Sequence, residues 1–212
     1  MDVYLLRHGE TDWNRTGRLQ GHADTVLNER GRAQVRETVE KLRDLGVRMD
    51  VIVSSPLKRA RESAEIAAAL LDYPKEKIVT EALFIERSFG GAEGMTLAQG
   101  EEKYPGYRFP GMESQEELVK RAGQAFEKIT SVFKNAQRIL LVAHGAVLFA
   151  LLEAVSAEPI HYEGRAVCLS QGSIYRIRHE NGTDSFARYE EEAGTFLETD
   201  AMQLGRLAKV YM

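Results

Sequence analysis

Three short apolar runs constrain what this chain can fold into more than any other feature. They are "VYLL" at residues 3–6, "DVIVSS" at 50–55 and "RILLVAHG" at 138–145. None alternates with polar residues, as a strand with one wet face would. Runs of this kind suit strands buried on both faces, which implies a parallel sheet with helices over it. The intervening segments carry helical patterns. Asn28 caps a helix through about Leu45, with Ala33, Val35, Val39, Leu42 and Leu45 near helical spacing and Gly46 as the stop. Pro56 sits in the first turn of a second helix rich in alanine, with Ala60, Ala64, Ala67, Ala68 and Leu71. Ser114 and Glu117 form a capping box ahead of Leu118, Ala122, Ala125, Phe126, Ile129 and Phe133. An apolar helix follows from Ala146 to Val155, and "IVTEALFI" reads as a short strand. Near the end, two alternating strands flank Asn181-Gly182, a hairpin signal.

Strands separated by helices require right-handed crossovers. The expected fold is therefore α/β, three-layer α/β/α, with a mainly parallel central sheet and an antiparallel edge strand. With 212 residues and no linker-like tract, residues 1–212 are expected to form a single domain. The glycine-rich stretch at about 87–114 is expected to be a lid-like excursion. "TDAMQLGRLAKVYM" reads as a short amphipathic helix docked on the same domain, with Met202, Leu207, Val210 and Tyr211 as its apolar residues. A net charge of −4 gives no support to nucleic acid or an anionic membrane as partner. Cys168 is the sole cysteine, which excludes an internal disulfide and a cysteine zinc cluster. No signal-peptide pattern and no run of membrane length is visible, so the expected location is cytoplasmic. A homodimer is left open.

The chemistry lies where the strands end. The first runs into Arg7-His8-Gly9, the second through Ser54-Ser55 into the helix carrying Arg59, and the third into His144-Gly145. The carboxyl ends of parallel strands share one rim, where ligands bind. Two guanidiniums and two imidazoles meeting there suit a phosphoryl group, because arginine forks match phosphate oxygens. Arg7 and Arg59 disfavour an imidazolium at His8, which keeps it a nucleophile. Lone histidines such as His22, His161 and His179 read as structural. Arg15, Arg18, Arg61, Arg87 and Arg165 read as solvated or ion-paired.

"LLRHGETDWN", "SSPLKRA" and "VAHG", in that order, resemble the histidine phosphatase superfamily, also called the phosphoglycerate mutase-like family. "GRLQGHADTVLNERGRAQ" and "IERSFGGAEG" resemble its connecting segments. The resemblance implies a phosphoglycerate mutase-like fold and a phosphoryl acceptor at His8. It makes Arg7, Arg59 and His144 the rest of the phosphate pocket, with Asn14 adding a neutral hydrogen bond. Glu86 falls at the family's proton donor, with Glu81 and Glu93 as nearby alternatives. Gln20, Gly21 and Gly145 join the phosphate-binding set. Glu10, Thr11 and Arg18 fall at positions that shape the loop or contact substrate.

Family mutases carry a longer insertion after "IERSFG" than the compact segment here. A shorter lid admits water, so the expected activity is hydrolysis of a small-molecule phosphomonoester. The alternative is a 2,3-bisphosphoglycerate-dependent phosphoglycerate mutase, for which 2,3-bisphosphoglycerate would be the cofactor. A non-catalytic phosphate-binding module is the other alternative. No metal is expected, since there is no HExxH pattern and two arginines repel a dication. The lid and pocket side chains expected to select substrate are Arg15, Arg18, His22, Phe89, Met95, Tyr104, Tyr107 and Phe109.

Overall fold

The computed structural model describes residues 1–162, 167–180, 183–207 and 209–210. Its principal elements run β1 (Asp2–Arg7), α1 (Asp12–Arg15), α2 (Glu29–Asp44), β2 (Val51–Ser54), α3 (Lys58–Leu70), β3 (Val79–Thr80) and α4 (Leu97–Lys103). They continue with α5 (Gln115–Val132), β4 (Arg138–Ala143), α6 (Gly145–Val155), β5 (Val167–Cys168), β6 (Ile174–Glu180), β7 (Thr183–Glu190), β8 (Thr195–Thr199), α7 (Ala201–Leu207) and β9 (Lys209–Val210).

The three apolar runs become neighbours. β4 lies between β1 and β2 and is parallel to both, within the seven-stranded order β3-β2-β4-β1-β6-β7-β8. The register sets Arg7 opposite Ala143 and Ser54 opposite Val142. The residues after these three strands therefore emerge together at one rim. Beyond β1 the pairing turns antiparallel through β6, β7 and β8. The antiparallel part is thus three strands wide, because the expected hairpin recruits β8. Its Asn181-Gly182 turn, like Arg165 and Tyr211, lies outside the described residues.

Each buried strand serves two cores. Val3, Leu5, Val53, Ile139 and Leu141 pack with residues of α5 and α6, whereas Tyr4, Leu6, Ile52, Leu140 and Val142 pack with residues of α2 and α3. Helices on both faces explain why the runs show no polar alternation. Each fully buried leucine or isoleucine contributes roughly 1.5–3 kcal/mol by leaving water. From Gly145 to Leu152, α6 is buried on every side, so its sequence has no polar stripe.

The helix ends follow local chemistry. The Asn28 side chain accepts from Gly31 N at α2, and Ser114 and Glu117 form the reciprocal box at α5. Helix α3 starts at Lys58, later than the Pro56 signal implied. Leu57 is extended (φ −72°, ψ 140°), and Ser55 N continues the ladder to Val142 O. The strand expected from Ile78 is limited to Val79–Thr80 and gives way to a 3₁₀ turn over Ala82–Phe84.

The excursion at about 87–114 contains structure that its glycines concealed. A 3₁₀ turn at Gly90–Ala92 and helix α4 surround a small core of Leu19, Phe89, Ala92 and Phe109. The C-terminal segment docks on the same chain through Ala201 and Leu204, while Met202 faces solvent. It is not one continuous helix, because Lys209–Val210 forms a strand against β5. No helix among the described residues is long and apolar enough to cross a membrane.

Phe149 lies on α6 with no solvent exposure, against the ring of Tyr162. Phe149→Ala is expected to cost about 3–5 kcal/mol of unfolding free energy, measured by guanidinium denaturation. A loss below 1 kcal/mol would mean that this core is not packed as described.

Candidate active site

The rim gathers side chains that are far apart in sequence. His8 follows β1, is 2% exposed, and lies edge-to-face with His144 at a ring-centroid distance of 5.1 Å. Its Nδ1 is 2.7 Å from Gly9 O. A carbonyl can only accept, so Nδ1 carries the proton and Nε2 presents its lone pair. Arg59 Nε donates to that lone pair at 3.2 Å. Burial pushes the His8 imidazole well below its usual pKa, and Arg59 and Arg7 push it further in the same direction. His144 is lowered likewise, by burial first and then by Arg59, His8 and Arg7. Both rings are neutral at ordinary pH.

Arg59 is fully buried, an unusual place for a guanidinium. Besides His8, it donates to Gly21 O at 2.8 Å and Ala23 O at 2.7 Å. Burial lowers its pKa to about 10, opposed by Glu86 and Asp24 and assisted by Arg7. It therefore remains a cation. Arg7 donates to Leu169 O at 2.5 Å and reaches Cys168 Sγ at 3.6 Å. Two glycines permit these approaches. A Cβ on Gly9 would sit 2.2 Å from Gly31 O, and one on Gly145 would sit 2.8 Å from the Cβ of Cys168.

These groups face a cavity of about 340 Å³ whose lining includes Arg7, His8, Asn14, Gln20, Gly21, Arg59 and Glu86. Asn14 Oδ1 accepts from Thr11 N at 3.1 Å and Gln171 Nε2 at 3.2 Å. Its amide NH₂ is thus the end available to an anion. Gln20 Oε1 accepts from Thr25 Oγ1 and lies 3.0 Å from Thr11 Oγ1. The Glu86 carboxylate accepts from Arg87 N, Val147 N and Ala146 N at 2.9, 3.1 and 3.3 Å. It therefore rests on the first turn of α6, where free N–H groups favour negative charge.

Not every expected residue reaches the cavity. His144 is fully buried with its ring edge-to-face on His8 and is not part of the cavity wall, and Gly145 begins α6 beside Arg7. Glu81 is tied to Lys128 at 2.6 Å and caps a 3₁₀ turn. Glu93 Oε1 accepts from His22 N and Phe89 N. Arg18 and Phe89 line the cavity, whereas Tyr104 and Tyr107 pack around Phe109. Arg15 pairs with exposed Asp12, and His22 Nε2 lies 2.8 Å from Glu86 O. Glu10 is occupied by Asn28 Nδ2. Arg87 donates to Glu113 O and Gln115. His179 is paired with Asp184 at 2.8 Å.

Sequence reasoning missed several members. Leu19, Leu97 and Cys168 also line the cavity. Arg121 donates to the carbonyls of Leu83 and Ile85 at 2.6 and 2.8 Å while holding the Glu113 carboxylate. It thereby fixes the segment that carries Glu86. The signal was a charged residue on the apolar stripe Leu118–Ala122–Ala125, where only a partnered arginine fits. Among the described residues there is no group of three or more His, Cys, Asp or Glu side chains placed to hold a metal ion.

Fold and site together define a class, an α/β protein with a cationic anion pocket built around a neutral imidazole. Comparisons with known proteins give the family. The model of the histidine phosphatase superfamily (branch 1) matches residues 3–192. The chain is 44% identical over 154 residues to the uncharacterized phosphatase PhoE of Bacillus subtilis (strain 168), covering 73% of this chain and 77% of that protein. It is 33% identical over 192 residues to the protein named probable phosphoglycerate mutase GpmB of Erwinia tasmaniensis, covering 85% and 86%. A mycobacterial glucosyl-3-phosphoglycerate phosphatase solved with VO3 superposes with a TM-score of 0.71 at 26% identity, covering 84% of this chain and 92% of that one. The chain belongs to the histidine phosphatase superfamily.

Because both buried imidazoles have lowered pKa values, an unfolded chain binds more protons below about pH 6.5 than the folded one. The stability they contribute is fully present above that pH and is lost as pH falls toward their folded values. Guanidinium unfolding should show this decline between pH 7.5 and 5, and His8→Asn combined with His144→Asn should flatten it. An equal decline in the double variant would contradict the assignment of two neutral buried rings.

Proposed function

We propose that the protein is a phosphomonoesterase that hydrolyses small phosphorylated metabolites through a phosphohistidine on His8. The observation that carries this reading is the state of His8. Its Nδ1 proton is held by Gly9 O, and its Nε2 lone pair meets a cavity wall containing Arg59 and Arg7. When a phosphoryl group enters, Arg59 Nε–H can pass from Nε2 to a phosphoryl oxygen. That frees the lone pair at the moment it is needed. Nε2 attacks phosphorus, the N–P bond forms and the P–O bond to the leaving group breaks. Arg7, Arg59, Asn14 and His144 hold the charge on the transferring oxygens, and Gln20, Gly21 and Gly145 shape the pocket around them.

Glu86 supplies the proton to the departing alkoxide. A dianion beside a carboxylate favours sharing a proton between the two, and the incoming monoanion can bring it. The carboxylate then takes a proton from water as that water attacks the phosphohistidine. Phosphate leaves and His8 returns to its starting state. No metal is part of this scheme, and a strong chelator should leave turnover unchanged.

The compact segment after Glu86 supports hydrolysis over retention of the phosphoryl group, as does the similarity to a protein named as a phosphatase. The similarity to a protein named as a phosphoglycerate mutase keeps a 2,3-bisphosphoglycerate-dependent mutase as the second reading. Assaying phosphate release beside interconversion of 3- and 2-phosphoglycerate, with and without 2,3-bisphosphoglycerate, separates them. Release in excess of interconversion is expected; efficient interconversion with negligible release would establish the mutase.

Two variants test the roles. His8→Ala should abolish turnover while leaving the unfolding transition intact. Glu86→Gln should lower kcat on alkyl phosphates by about 10²–10⁴-fold, and far less on an aryl phosphate whose phenolate needs no proton. Equal losses on both esters would remove Glu86 as the acid.

A further inference from the structure

We propose that Ser55 is a positioning residue that fixes the tautomer of His144, so that the His144 Nδ1–H is the donor presented to a phosphoryl group on His8. The inference rests on the phosphohistidine reading above and assigns a residue which that reading does not require.

Ser55 immediately follows β2 and has no solvent exposure. Its Oγ lies 2.6 Å from His144 Nε2, a short contact between two buried groups. Either group could donate in principle. The surroundings of Oγ decide. Leu57 N donates to it at 3.4 Å, which occupies an acceptor position. A second lone pair remains on Oγ, but the hydroxyl proton has no acceptor among the described residues other than His144 Nε2, and the reverse direction would leave both that proton and His144 Nδ1 unpaired. With Nε2 accepting, a neutral imidazole must carry its proton on Nδ1. Burial and the neighbouring cations keep the ring neutral, so the choice is between two tautomers and not a shared imidazolium.

Nδ1 itself is buried and has no hydrogen-bond partner among the described residues. An unpaired buried donor is costly, so such a group in a native fold calls for an explanation. The ring packs edge-to-face on His8 at 5.1 Å between centroids, and with Nε2 engaged by Ser55 the orphan Nδ1 is the ring nitrogen left for an oxygen of a phosphoryl group on His8. In the opposite tautomer a lone pair on Nδ1 would face those oxygens and repel them. Strand pairing gives Ser55 its place. Ser55 N donates to Val142 O, which locks the end of β2 beside the end of β4, where His144 follows. The serine is therefore held by the same parallel register that assembles the rest of the rim.

Two-bond nitrogen–proton correlations on ¹⁵N-histidine-labelled protein report each imidazole tautomer directly. Wild-type His144 should show the Nδ1–H form, Ser55→Thr should retain it, and Ser55→Ala should lose it in favour of a mixture. In kinetics, Ser55→Ala should lower kcat by about 10- to 100-fold with less change in KM, and Ser55→Thr should restore most of the rate. Vanadate affinity should fall with kcat in Ser55→Ala, since the lost donor serves the transition-state geometry. If Ser55→Ala does not fold, the wild-type tautomer still decides. An Nε2–H form there overturns the inference, as does wild-type tautomer and rate in Ser55→Ala. Failure of the phosphohistidine reading is distinguishable, because the wild-type enzyme would then form no phosphohistidine whatever Ser55 does.

Discussion

The site depends on a guanidinium with no solvent exposure. Burying a cation of that size costs several kcal/mol unless every donor finds an acceptor. Arg59 meets most of this demand with Gly21 O, Ala23 O and His8 Nε2, which come from two separate segments of chain. One side chain thereby fixes the loop after β1's helix, the first turn of α3 and the ring of His8. Its remaining electrostatic demand is for an anion. A net-negative protein can hold an anion pocket because the positive charge is concentrated here, where low dielectric strengthens it.

The same constraint explains why the histidines are neutral. Desolvation and the two guanidiniums lower both imidazoles, and the folded state forgoes the stability that protonation would offer at acid pH. On the proposed function this holds a nucleophile ready at the expense of acid stability, a local conflict of the kind expected where function overrides the fold. The orphan Nδ1 of His144 belongs to the same pattern. The parallel sheet makes the conflict tolerable, because β1, β2 and β4 are buried on both faces and hold the rim rigidly.

Much of this was legible in the sequence. The three apolar runs have no alternation because helices cover both faces, and their ends carry Arg7, His8, Ser55 and His144 in plain view. Asn28, Ser114 and Glu117 announced their helices through side-chain chemistry that needs no tertiary context. Other parts were hidden for physical reasons. Helix α4 has seven residues with a glycine among them, and it exists because Phe109 and Leu19 give it a surface to cover. Strand β8 is short and largely exposed, and it persists through pairing with β7. Glu86 was carried by the resemblance alone. Its place follows from two distant supports, the first turn of α6 and Arg121, which no local pattern encodes.

The central claim is that His8 accepts the phosphoryl group, and it is tested most directly by trapping the intermediate. Wild-type protein mixed with a ³²P-labelled monoester and quenched in alkali within milliseconds should retain label that survives base and is released by acid. Peptide mapping should place that label on His8, at a level that rises and decays at rates compatible with turnover. Phosphate release at full rate with no protein-bound label under any quench time, or label on a residue other than His8, would contradict the account.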